Sequence, residues 1–229
     1  MKIGGLQKVS LVDYPGKISA TVFTQGCNFR CPYCHNPELV DPKRYQECLP
    51  EDEVFSYLEK RWGKLEAVTV TGGEPTIQNG LLSFIQHIKA MGYLVKMDTN
   101  GSNPKALEEL ISHKLLDYIA MDIKAPYVKY ASVTRTPVEE DTIKQSLGII
   151  KESGINCEFR TTIVKSQLEE TDILAIGDLI KSAHLYALQR YVPTKPLDEK
   201  FMHEVSFSQE ELEVVRVKLG KMINRVIIR

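Results

Sequence analysis

The chain has 229 residues, 43% of them apolar and 26% charged, the make-up of a folded globular protein rather than a disordered one. Its 29 basic and 30 acidic side chains leave a net charge of −1, so no global positive field exists to hold a polyanion, and nucleic acid is not an expected partner. No run reaches the roughly eighteen apolar residues of a membrane span, so no membrane is expected either, and the opening MKIGGLQKVS lacks the apolar core of a secretory signal, which predicts a cytoplasmic protein.

Strand-like runs alternate with helical patterns. The first strand is predicted over 18–25 (ISATVFTQ). A helix then opens near Pro50 and stops before Gly63. A strand at 66–71 (EAVTVT) leads to a helix over 79–91 that ends at Gly92. The run 93–98 (YLVKMD) precedes a helix capped by Asn103, with Pro104 in its first position. Strand 117–123 (DYIAMDI) is followed by a helix that starts after Pro137 and ends near Gly154. Strand 156–164 (NCEFRTTIV) leads to a helix opened by Thr171 or Asp172. Strand 185–192 (LYALQRYV) precedes a helix with a Ser208–Glu211 capping box and an end near Gly220. The tail INRVIIR reads as one more short strand.

Six strand-then-helix units imply parallel strands joined by right-handed crossovers. An open sheet covered by helices would be apolar on both faces. These strands are not: Lys96 with Asp98, Asp122 with Lys124, and Glu158 with Arg160 each put two charges on one face at period two. Such pairs suit the polar lumen of a wide, incomplete barrel. Eight units usually need about 250 residues. The predicted fold is therefore α/β, a partial (β/α)6 barrel, in a single domain over residues 1–229.

Three of the five cysteines fall within GCNFRCPYCHNP (26–37), at Cys27, Cys31 and Cys34. The segment follows the first strand, where barrel enzymes place their chemistry. Three thiolates on a loop broken by Pro32 can hold three irons of a 4Fe–4S cluster, leaving the fourth iron open to an exchangeable ligand. A structural zinc site wants four ligands, and His35 is too close to Cys34 in sequence to serve well. An electron carrier needs a fourth cysteine, which only Cys48 or Cys157 could supply. Cys157 reads as a small buried hydrophobe and Cys48 has no assigned role. His184 and His203 read as surface residues.

With an aromatic, Tyr33, before its third cysteine, this motif resembles that of the radical S-adenosylmethionine (SAM) superfamily. Gly72-Gly73-Glu74-Pro75 after the second strand resembles the family's turn that contacts the methionine amino group; two glycines let backbone approach a ligand, and Glu74 can accept from an ammonium. GGLQKVSLVDYPGK (4–17) with TQGCNFRCPYCHNPEL (24–39) looks like the activating proteins of anaerobic ribonucleoside-triphosphate reductase, close to other glycyl-radical-enzyme activases. MDTNG (97–101, with Asn100) and MDIK (121–124) match the activase pattern at the next strand ends. The resemblance implies Asp98 for the cofactor ammonium, Lys124 for its carboxylate with Arg160 as a further candidate, and Asp122 beside a monovalent cation, as in some activases. By charge pattern alone these residues could equally be turn formers or ordinary lumen pairs.

The resemblance also implies the reaction. SAM is cleaved reductively at one cluster, the electron comes from a flavodoxin or ferredoxin, and the resulting 5′-deoxyadenosyl radical takes hydrogen from a glycine of the partner reductase. Competing readings are a radical enzyme for another glycyl-radical partner or for a small molecule, such as a deazapurine synthase, and a non-enzymatic iron–sulfur carrier. Tyr191, Pro193 and the segment 193–200 are candidates for the border of a peptide entrance.

Overall fold

A computed structural model describes residues 1–229. Its strands are β1 Ile3–Ser10, β2 Ser19–Thr24, β3 Ala67–Gly72, β4 Leu94–Thr99, β5 Tyr118–Asp122, β6 Asn156–Ile163, β7 Tyr186–Arg190 and β8 Val226–Ile228. They form one sheet in chain order, and β1 and β8 stand at its two unpaired ends. β1 runs antiparallel to β2; all later neighbours are parallel. The helices are α1 Pro37–Val40, α2 Glu51–Arg61, α3 Leu81–Ala90, α4 Pro104–Ser112, α5 Tyr127–Thr134, α6 Glu140–Glu152, α7 Glu170–Leu179 and α8 Gln209–Leu219.

Alternation along the strands separates two environments. Val68, Val70, Val95, Met97, Ile119, Met121, Phe159 and Ile163 are buried in the apolar core. The residues between them (Thr71, Asp98, Asp122, Arg160) line one cavity on the other face. That face is strongly concave. Arg160 on β6 reaches Asp98 on β4 at 3.1 Å, past the intervening β5. The fold is the predicted incomplete barrel, six parallel units flanked by one extra strand at each edge.

The cap residues work as their chemistry dictates. Asn103 Oδ1 accepts the Ala106 N–H at 3.3 Å. Ser208 Oγ accepts the Glu211 N–H at 3.2 Å, and Glu211 accepts the Ser208 N–H at 2.8 Å. The predicted start of α7 shifts: Glu169, not Thr171 or Asp172, is the cap, and Asp172 reaches back to the Glu169 N–H at 2.8 Å. Three elements had no sequence expectation, β1, α1 and α5. Cys157 is half-buried rather than fully buried, and His184 and His203 are exposed. No helix is long and apolar enough to cross a membrane.

Candidate active site

The loop after β2 is held from three sides. Gly26 donates to the Leu39 carbonyl at 2.7 Å, Arg30 to the Thr134 carbonyl at 2.8 Å, and the Pro32 carbonyl accepts from Asp198 at 3.0 Å. Tyr130 of α5 meets Phe29 edge-on at 6.2 Å. Thus α5 and the segment after β7 both fix the thiol loop. Cys27, Cys31 and Cys34 all face the cavity at the strand C-termini, a space of about 300 Å³. Burial pushes the Cys27 thiol up to about 12 and Cys31 up to about 11, and raises Cys34 as well. Desolvated thiols become thiolates only when a strong cationic centre compensates. Against that trend, the Phe29 N–H donates to Cys27 Sγ at 3.4 Å.

The donor set suits an iron–sulfur cluster. A cuboidal cluster spreads three thiolates over three irons, whereas tetrahedral zinc needs its ligands converging on one point. No three His, Cys, Asp or Glu side chains converge in that way. His35 Nδ1 contacts Thr194 Oγ1 at 3.1 Å. Neither Cys48 nor Cys157 borders the cavity; Cys48 instead donates to Gln25 Oε1 at 3.4 Å. Tyr33 lies beside the thiols, buried, with its hydroxyl toward the Cys31 thiol, which it favours in the charged form.

The turn after β3 is built on close approach. A Cβ on Gly73 would stand 2.0 Å from the Gly26 carbonyl oxygen, and one on Gly72 (φ +107°) 2.4 Å from the Thr24 nitrogen. Gly73 donates to the Thr24 carbonyl and Glu74 to the Gly26 carbonyl, both at 2.8 Å. The Glu74 side chain points into the protein, 1% exposed. Its Oε1 accepts from the Thr76 N–H (3.1 Å), Thr76 Oγ1 (2.6 Å) and Thr99 Oγ1 (2.7 Å), and its Oε2 from the Asn100 N–H (2.7 Å). Burial raises its proton affinity, and these four donors oppose the shift. The group that the sequence offers for an incoming ammonium is thus already spoken for, and backbone is what this turn presents to the cavity. Asn100 Nδ2 donates to Asn28 Oδ1 at 3.0 Å and lies 3.9 Å from Cys27 Sγ.

Across the floor runs a ladder of alternating charge. Lys96, 2% exposed, pairs with Asp98. Arg160 Nη1 lies 3.1 Å from Asp98 Oδ2, and its Nε 2.7 Å from Asp122 Oδ1. Lys124 Nζ completes the row 3.0 Å from Asp122 Oδ2. Burial alone would push Asp122 up, but Arg160 and Lys124 outweigh it and hold the carboxyl well below the usual range. Burial would likewise favour neutral Lys124 and Arg160; Asp122, joined at Arg160 by Asp98, reverses that and keeps both charged. The three cations and two carboxylates leave one positive charge unmatched. Sequence reasoning placed Asp98, Asp122, Lys124 and Arg160 here but assigned no site role to Lys96, whose signal was its period-two spacing from Asp98, or to Thr71, which donates to Asp98 Oδ2 at 3.3 Å.

Known proteins resemble this chain in sequence and in fold. A "Putative glycyl-radical enzyme activating enzyme MJ1227" of Methanocaldococcus jannaschii is 33% identical, over 99% of this chain and 95% of that protein. A pyruvate formate-lyase-activating enzyme of Clostridium pasteurianum is 32% identical over 54% of this chain and 52% of its own length. A 7-carboxy-7-deazaguanine synthase of Clostridium acetobutylicum is 31% identical over 75% of this chain and 72% of its own. Among solved structures, Streptococcus suis SuiB bound to precursor peptide SuiA superposes with a TM-score of 0.68 at 14% identity, over 90% of this chain and 47% of that one, a likeness of fold. The sequence pattern of the Radical SAM superfamily matches residues 21–175. That match opens on β2 and ends within α7, so it spans the thiol loop, the Gly72–Glu74 turn and the charged strand ends as one unit: the chain belongs to the radical SAM superfamily.

Proposed function

We propose that the protein is a glycyl-radical-enzyme activase, with an anaerobic ribonucleoside-triphosphate reductase as partner and a flavodoxin or ferredoxin as electron donor. The observation that carries the reading is the pairing of three cavity-facing thiols, without a fourth cysteine, with a charge ladder complementary to an amino-acid zwitterion. Similarity over nearly the full length of an activating-enzyme relative supports the activase class.

Cys27, Cys31 and Cys34 would hold a single 4Fe–4S cluster and leave one iron for the cofactor. The bound cluster and SAM together supply one-electron reduction and a carbon-centred radical. The chain supplies orientation and dryness. Asp98 would take the methionine ammonium, exchanging one of its present cationic partners for it. Lys124 and Arg160 would take the carboxylate as charge-assisted donors. The Gly72–Gly73 backbone bounds the same pocket, Asn100 lines it with its Nδ2 3.9 Å from Cys27 Sγ, and Phe29 and Tyr33 wall off water. No side chain needs to act as a general base. Asp122 has a cationic partner on each oxygen, and the monovalent cation implied by the resemblance would, like the ammonium at Asp98, have to displace one of them.

Anaerobic reconstitution should load about four irons per chain. Incubation with SAM, reductant and the reductase should then give a glycyl-radical doublet in the electron-spin spectrum of the partner. SAM consumption without that doublet, together with turnover of a deazapurine precursor, would favour the deazapurine-synthase type instead. That second reading draws on a relative of nearly equal identity.

A further inference from the structure

Glu158 lies on β6 two residues before Arg160, so both side chains leave the same face of the strand. It is 1% exposed. Arg229, just past β8, clasps it with both arms: Nη1 to Oε1 at 2.9 Å and Nη2 to Oε2 at 2.7 Å. The backbone of Arg229 is itself fixed. Its N–H donates to the Leu188 carbonyl at 2.9 Å, and its carbonyl accepts from Arg190 at 2.8 Å. Arg229 therefore reaches past β7 from a rigid base.

Arg160 has three carboxylates around it and bonds two. Asp122 and Asp98 are at 2.7 and 3.1 Å, and Glu158 is at 3.9 Å. A movement of roughly 1 Å would bring Arg160 Nη1 into hydrogen-bond range of Glu158. A buried carboxylate without a partner recruits the nearest cation or takes up a proton. Arg229 already satisfies both oxygens of Glu158.

We infer that Arg229 is a positioning residue for the methionine end of the cofactor: by occupying Glu158 it leaves Arg160 turned toward Asp98 and Asp122. The inference rests on the proposed binding of SAM at the ladder. Charge counting supports it. With Arg229, four cations (Lys96, Lys124, Arg160, Arg229) face three carboxylates (Asp98, Asp122, Glu158), and the surplus is available to the cofactor carboxylate. Without Arg229 the numbers match, and no cation is spare.

The test is equilibrium binding to the anaerobically reconstituted protein of two ligands, SAM and 5′-deoxyadenosine, which lacks the methionine. Arg229→Gln should weaken SAM by roughly tenfold and leave 5′-deoxyadenosine unchanged. Arg229→Lys, which keeps charge but not the double contact, should fall between. Adding Glu158→Gln to Arg229→Gln removes the carboxylate that needs a partner and should restore SAM binding to within about threefold of wild type. Equal weakening of both ligands, or no rescue in the double variant, would mean a merely structural role and overturn the inference. Should Arg229→Gln fail to fold, Arg229→Lys decides by the same pair of affinities. Wild type that binds no SAM overturns the underlying reading; wild-type binding with an unchanged SAM affinity in Arg229→Gln overturns the inference alone.

Discussion

The backbone N–H of Asn100 donates to Glu74 Oε2 at 2.7 Å, so the turn after β3 and the turn after β4 are joined by one buried carboxylate. Both turns border the cavity, and Asn100 extends the link to Asn28 on the thiol loop. Glu74→Ala would leave the Thr76, Thr99 and Asn100 donors without their acceptor. The expected cost is about 3 kcal/mol, allowing for partial rehydration. Urea unfolding of the cluster-free protein checks this, and a loss below about 1 kcal/mol would show that water replaces the carboxylate at little cost.

Gly73 faces backbone rather than a movable side chain. A methyl there meets the Gly26 carbonyl oxygen at 2.0 Å, and the same oxygen accepts the Glu74 N–H. Relief requires the two loops to part. Gly73→Ala should cost about 1–3 kcal/mol and lower the iron retained per chain after reconstitution, because Cys27 follows Gly26 directly. Full iron content with unchanged stability would show that the loops can separate freely.

The parallel strands were legible because their outer faces are β-branched and apolar while their inner faces carry charge at period two. β1 was not. Its sequence IGGLQKVS buries only its end residues Ile3 and Ser10 and shows no alternation. Its place comes from pairing with β2, which no local pattern reveals. α5 was hidden by composition: YVKYASVT is rich in Tyr and β-branched residues that suit strands. It folds as helix because Tyr130 and Val133 bury against the core. Within the site, residue types at strand ends could be read, but partners could not. Arg229 meets Glu158 across 71 residues of chain, and the inward turn of Glu74 depends on donors supplied by the following loop.

Arg160 bridges two carboxylates with different nitrogens, Nε on Asp122 and Nη1 on Asp98. An ammonium offers one point charge and cannot reproduce that fork. Arg160→Lys should therefore weaken SAM binding by roughly ten- to a hundredfold while iron loading stays at the wild-type level. Iron loss in parallel with SAM affinity would instead indicate a general collapse of the cavity. Isothermal titration beside iron quantitation separates the two.

The same ladder makes a prediction about acid. Asp122 would rise on burial, but Arg160 and Lys124 hold it below the ordinary carboxylate range. A depressed folded pKa means that the unfolded chain takes up the proton first as pH falls. The stabilisation is therefore fully present above about pH 4, the unfolded value, and is lost progressively as pH drops through the folded one. Asp122→Asn should unfold more easily than wild type at pH 7, by about 2 kcal/mol for a pair only partly shielded from water. The gap between the two proteins should then narrow on acidification below pH 4, because wild type loses a contribution the variant never had. Denaturant titrations of both cluster-free proteins at pH 7, 5, 4 and 3 give the curve. A gap that stays constant across that range would place the stabilisation in packing or hydrogen bonding that survives protonation, and not in the charge of Asp122.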